Sequence, residues 1–179
     1  MLYDIERKNE MAIWTSRYSN KQLQNKGYYP VGISIGKPRF CTGYVIREQC
    51  YSLAPKGYML NMDTEAFKKA YYGKLEEIGK NGIISIVTKL DERARSEGKE
   101  LVLLCFEDVR VEGDWCHRTI FAEWWEENVG KVIEELPDPT PPKAKGKSKD
   151  DNRKPVKEPV KEGSRCKQLS LFDGGMTGI

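Results

Sequence analysis

Apolar positions in residues 11–136 fall into two kinds of segment. "MAIWTS" (11–16) and "VGISIG" (31–36) are short apolar runs that break into polar residues, and "ELVLLCFED" (100–108) is a continuous apolar run of strand length. Strands buried on both faces of a parallel sheet have this pattern. Three longer stretches, "TEAFKKAYYGKLEEIG" (64–79), "GIISIVTKLDERARSEG" (82–98) and "CHRTIFAEWWEENVG" (116–130), repeat apolar residues at helical spacing, and the last two end in glycine, as helices often do. "GKVIEEL" (130–136) reads as a further strand or as an edge. Strands alternating with helices predict an α/β domain: a small, mainly parallel sheet flanked by helices in a Rossmann-like three-layer arrangement. Residues 36–62, rich in Gly, Pro and Tyr, read as a long functional loop with short strands or turns.

Composition narrows the class. A chain of 179 residues with 39% apolar and 32% charged residues is expected to hold one soluble domain. No run approaches the ~20 apolar residues that cross a bilayer, and the acidic residues of "MLYDIERKNEM" stand where a signal peptide has its apolar region. The expectation is a cytoplasmic protein without a membrane partner. Five cysteines, Cys41, Cys50, Cys105, Cys116 and Cys166, are an odd number spread over a long chain, which argues for reduced thiols rather than a disulfide framework.

Charge then divides the chain. Residues 1–136 carry 20 Lys and Arg against 21 Asp and Glu, a net of −1, whereas residues 137–179 carry 10 against 6, a net of +4. From Pro137 the sequence is "PDPTPPKAKGKSKDDNRKPVKEPVKEGSRCK", without aromatic residues and with few aliphatic ones, so burial cannot offset its chain entropy. Three regions follow: an α/β domain over 1–136, a disordered basic linker over 137–167 and a tail over 168–179.

In open α/β sheets the ligand crevice lies beyond the carboxyl ends of the strands. The first run empties into Arg17, Ser19 and Asn20, the second into Ser34, Lys37 and Arg39, and the third into Cys105, Glu107 and Asp108. "GDWCHRT" follows, opening the last strong helix and holding the only histidine, His117. Asp114 can cap that helix, which places Cys116 in the first turn, where the helix dipole and a neighbouring cation favour thiolate. Cys116 is then a candidate nucleophile, His117 a proton carrier and Arg118 an anchor for phosphate or carboxylate, with Cys105 nearby. The plainer alternative makes Cys116 a small buried residue and Arg118 an ion-pair partner of Glu107 or Asp108.

"WTSRYSN" (14–20), "VGISIGKPRF" (31–40) and "LLCFEDVRVEGDWCHRTIFAEWWEENVGKVIEEL" (103–136) resemble the successive blocks of the domain-of-unknown-function 488 family. The resemblance covers most of residues 11–136, and its Cys-His-Arg block is the most specific part. It marks Arg17, Ser19, Asn20, Pro38, Arg39, Cys105, Cys116, His117 and Arg118. The chain departs from the family at Gly32-Ile33-Ser34, where many relatives have Asp-Val-Arg. The resemblance implies a functional site without naming a reaction.

Other chemistries fit less well. A phosphatase loop needs arginine six residues after its cysteine, but Val111 follows Cys105 and Ala122 follows Cys116 at that spacing. Cys41, Cys50, Cys105 and Cys116 are spaced too widely for a zinc knuckle, so no metal is expected. No P-loop or dinucleotide fingerprint is present, and no cofactor is expected. Trp124 and Trp125 are adjacent and point apart, so one belongs to the core. Tyr28, Tyr29, Tyr44, Tyr51 and Tyr58 either stack on bases or pack under the loop. Two classes remain: an enzyme acting on a nucleotide or nucleic acid through Cys116, His117 and Arg118, or a non-catalytic ligand- or DNA-binding accessory module.

Gln168-Leu169-Ser170-Leu171-Phe172 is similar to the pentapeptide by which many bacterial DNA polymerases and repair proteins bind the replicative sliding clamp. In an extended peptide the glutamine bonds at the rim while leucine and phenylalanine fill an apolar pocket. About 30 linker residues span ~30 Å r.m.s., and their lysines add non-specific attraction to DNA.

Overall fold

The computed structural model describes residues 12–142 apart from Glu112. Gln168 to Phe172 and most of the basic linker lie outside those residues.

β4 (Glu100–Cys105) occupies the middle of the sheet, with Leu101, Val102, Leu103 and Leu104 fully buried. β1 (Trp14–Arg17) runs along one side of it, Trp14 opposite Val102 and Arg17 opposite Cys105. β2 (Tyr28–Gly32) runs along the other, Tyr28 opposite Glu100 and Gly32 opposite Leu104. Two short strands finish the edges: β3 (Glu48–Gln49) beside β2 and β5 (Glu134–Glu135) beside β1. The order is β3-β2-β4-β1-β5, and every pair is parallel. The mainly parallel α/β sheet expected from the apolar runs is therefore present.

Alternation along the strands divides the core. Leu101 and Leu103, with Tyr29, Val31 and Ile33, join the apolar faces of three helices: α1 (Thr64–Ile78), α2 (Lys80–Ser96) and α3 (His117–Val129). Val102 and Leu104 face the opposite way into a smaller cluster with Tyr18, Leu23 and Leu136. Among the described residues that second face is covered by a 3-10 helix (Lys21–Gln24) and by Tyr44 and Ile46. Both Trp124 and Trp125 are buried, one more than their adjacency suggests.

Local chemistry sets the helix limits. Asp63 accepts from the Ala66 amide and caps α1. Gly79, at φ 80°, turns the chain directly into α2, so that helix begins two residues before the apolar pattern does. α3 ends at Gly130 in the left-handed conformation. The cap of α3 is Cys116 and not Asp114, and Cys116 makes no side-chain cap bond.

The compact unit continues past the composition break at Pro137. Asp138 and Thr140, placed by composition in the linker, bind the side chain of Arg17. Composition could not anticipate this, since the partner is 121 residues away.

Gly32 lies where β2 crosses Tyr18 and Gln49, and a Cβ there would collide with the Tyr18 hydroxyl and the Gln49 amide. Those two side chains both bond Ser34. Gly32→Ala is expected to lower the stability of the domain by about 1–3 kcal/mol, the usual range for overpacking. Urea unfolding of the variant and the parent checks this, and equal midpoints would refute the crowding.

Candidate active site

Four side chains from the carboxyl edge of the sheet converge. Cys105 is the last residue of β4, Glu107 follows it by two residues, Cys116 caps α3 and His117 begins it. Cys105, Cys116 and His117 are buried, at 4%, 2% and 5% exposure. Glu107 stands on the exposed side and turns its carboxylate onto both thiols: Oε2 is 2.9 Å from Cys116 Sγ and 3.2 Å from Cys105 Sγ. His117 Nδ1 lies 3.4 Å from Cys105 Sγ and 3.8 Å from Cys116 Sγ.

The other ring nitrogen fixes the imidazole. His117 Nε2 is 2.9 Å from the Ile33 carbonyl oxygen, which can only accept, so Nε2 carries hydrogen and donates. Nδ1 is then the nitrogen that faces the sulfurs, accepting from a thiol in the neutral ring and donating to a thiolate in the imidazolium. Tyr71 presses edge-on against the ring, with centroids 5.7 Å apart. Helix α3 is thereby tied to the end of β2, the strand beside β4.

Proton affinities differ across the cluster. Burial pushes the Cys116 thiol up, but hydrogen bonds from Cys105 and His117, together with the charges of His117 and Arg118, bring it well below the ordinary range. Cys105 moves the other way, raised by its bond to Cys116 and by burial. Glu107 is raised by burial and then by the negative charge of Cys116. At 2.9 Å a thiolate and a carboxylate cannot both be bare, so a proton is held between Cys116 and Glu107. The cluster can therefore present Cys116 as the sulfur nucleophile, with a carboxyl and an imidazole at hand for proton transfer.

The expected cationic crevice is built differently. Arg17 is almost entirely committed: it pairs with Asp108 at 2.8 Å and Asp138 at 2.6 Å and donates to Thr140 Oγ1 at 2.7 Å. Arg118 is fully buried and forks onto Glu135, with Nε at 3.0 Å and Nη2 at 2.9 Å. Its partner is Glu135, not Glu107 or Asp108, and its Nη1 is buried without a hydrogen-bond partner. Lys37 and Arg39 are exposed on the loop after β2 and form no ion pair among the described residues. Thus Arg17, Arg39 and Arg118 do not line one crevice.

The hydroxyl and amide candidates scatter too. Asn20 is buried, donating to Ser16 Oγ and to the Leu136 and Pro137 carbonyls, so it staples β1 to the end of the domain. Ser34 is buried and bonds Tyr18 and the Gly36 carbonyl. Ser19 is exposed. Sequence reasoning placed Glu107 at this edge but gave it no role at the thiols, and it did not select the Ile33 carbonyl. For Glu107 the available signal was its place two residues beyond a buried strand end; a backbone carbonyl leaves no signal. The tyrosines mainly pack or bond: Tyr44 donates to the Tyr18 carbonyl and Tyr29 to Glu48, while Tyr51 and Tyr58 are exposed.

No protein-family model, curated protein or solved structure matches the chain. The resemblance to the domain-of-unknown-function 488 family accordingly rests on the quoted motifs. Among the described residues no helix is long and apolar enough to cross a membrane.

Next to the thiols, Arg17 and Arg110 grip two aspartates. Arg110 holds the Asp108 carboxyl down to about 2. Burial opposes ionisation of Asp138, but bonds from Thr140 and Arg17 lower its proton affinity below the usual value. A carboxyl depressed by folding stabilises above its unfolded pKa of ~3.9, and that contribution is lost as pH falls through the folded value. Asp138→Asn should therefore cost about 1–3 kcal/mol at pH 7, and the gap from the parent should close as pH falls below ~3. Denaturation at both pH values tests it; a gap unchanged by acid would remove the ion pair as its cause.

Proposed function

We propose that the domain is a thiol-dependent enzyme acting on a nucleotide or nucleic acid, recruited to DNA through the clamp-like pentapeptide of its tail. The observation supporting catalysis is the convergence of two buried thiols, one imidazole and one carboxyl at the carboxyl edge of a parallel sheet. Ion pairs and hydrogen bonds among conventional partners satisfy structural polar groups, yet Cys105 and Cys116 share the same two acceptors at the rim of the fold. In this reading Cys116 attacks, Glu107 and His117 carry protons, and Cys105 holds the attacking sulfur by a hydrogen bond.

The substrate class rests on charge. The unpartnered Nη1 of Arg118 is a buried cationic donor, and Lys37 and Arg39 remain exposed on the loop after β2. Of these, exposed Lys37 and Arg39 are open to an anionic ligand in a way that the committed Arg17 is not. A purely cationic binding module is the weaker reading, because Arg17 and the fork of Arg118 are already neutralised by carboxylates.

Alkylation mapped by mass spectrometry tests the site in chelator-treated protein. Cys116 is expected to label faster than Cys105, because Cys116 stands at a helix start beside His117 and Arg118. A mononucleotide or an oligonucleotide should slow Cys116 while leaving Cys50 unchanged. Equal, slow labelling of the two site cysteines, with no protection by any nucleotide, would sink the enzymatic reading.

Recruitment is tested separately. A peptide of residues 164–175 should bind a bacterial sliding clamp with micromolar affinity, and Leu171→Ala with Phe172→Ala should abolish it. If the full chain and the double variant co-migrate equally with the clamp, the tail is not a tether.

A further inference from the structure

The donor atoms of Cys105, Cys116 and His117 all lie within 4.8 Å of one another, and the three residues are buried. A four-coordinate zinc-class ion, bound at about 2.3 Å to sulfur and about 2.0–2.2 Å to nitrogen or oxygen, sets ligand-to-ligand edges of roughly 3.4–3.8 Å. The two sulfur-to-imidazole edges are 3.4 and 3.8 Å. Glu107 Oε2 lies beside this trio, 3.2 Å from one sulfur and 2.9 Å from the other, at hydrogen-bond rather than ligand-edge spacing.

We propose that Cys105, Cys116 and His117 form a three-donor site for a zinc-class divalent metal, with Glu107 as a peripheral carboxylate beside both sulfurs. The bond from His117 Nε2 to the Ile33 carbonyl supports this independently. A metal-binding imidazole characteristically donates its other N–H to a backbone carbonyl or carboxylate, which fixes the ring and aims the free lone pair at the ion. Two sulfurs and an imidazole select a soft or borderline ion over magnesium or calcium. Cys105 is held by the central strand and Cys116 and His117 by the start of a helix, so the three buried donors are arranged before a metal arrives. On loading, the thiol protons leave to solvent as the sulfur–metal bonds form. Three protein donors leave a fourth position for water or a substrate, and Glu107 is the exposed side chain next to them.

The wide spacing of Cys41, Cys50, Cys105 and Cys116 along the chain pointed away from a metal; in the fold one strand end and one helix start bring two of those four beside His117. A bound metal would occupy the sulfur and imidazole that the reaction proposed above uses, so that reaction belongs to the metal-free site.

Cobalt(II) titration of the chelator-treated full chain tests it. One cobalt per chain is expected, with sulfur-to-cobalt charge-transfer absorption and tetrahedral visible bands, both erased by added zinc. Cys105→Ser or Cys116→Ser should weaken the charge-transfer band, and Glu107→Gln should keep it while weakening binding about 10-fold, as loss of a peripheral partner does. Cys50→Ser should change nothing. In the unmutated chain, where misfolding is no concern, zinc should protect Cys105 and Cys116 from alkylation. An octahedral spectrum without the thiolate band, an undiminished band in both serine variants, or labelling unaffected by zinc would overturn the site. Failure of cobalt binding with fast Cys116 labelling removes the metal and leaves the thiol reaction standing. Cobalt binding with inert Cys116 does the reverse.

Discussion

Desolvation of β4 from Leu101 to Cys105 is the constraint on which the rest of the domain depends. Four consecutive leucine and valine side chains are removed from water on two faces, which requires a helical layer on one side and a second apolar cluster on the other. A strand buried that way brings its polar terminus into the protein as well. Cys105, and Arg17 across from it in β1, therefore need partners that the sheet cannot supply. Glu107, Asp108, Asp138 and the start of α3 meet that need. The thiol cluster and the arginine–aspartate cluster are two answers to one problem of burying a polar strand end.

Much of the fold was legible because burial writes itself into periodicity. The unbroken run of "LVLL" marks a strand covered on both sides, and the 3.6-residue spacing of Phe67, Tyr71 and Leu75 marks the buried face of a helix. Boundaries set by backbone conformation were harder. Nothing in residue spacing distinguishes a glycine that stops a helix from Gly79, which also starts the next one. Nor could spacing show that Trp115 packs on Phe67 or that α3 is capped by Cys116 rather than Asp114.

The site was half legible for a related reason. Residue types revealed Cys105, Cys116 and His117, because strand ends of a parallel sheet meet at one edge whatever the loops do. Charge partners are a matter of three-dimensional distance. Arg118 finds Glu135 17 residues on and Arg17 finds Asp138 121 residues on, and either arginine seen alone in sequence looks available for a ligand. Their commitment leaves the chemistry of this edge to sulfur, imidazole and carboxyl, groups whose proton positions are set by one another.

The two-residue lengths of β3 and β5 have a consequence for solution behaviour. Unpaired backbone along a sheet margin invites a neighbouring molecule to add a strand, and the invitation grows with the length of straight ladder on offer. Among the described residues this sheet keeps its long strands inside and ends in margins that offer two residues each, both of them charged or amide side chains. A parallel sheet is slow to assemble and exposed to misassociation while it does. Margins this short limit the growth of cross-molecular ladders once the native order is reached.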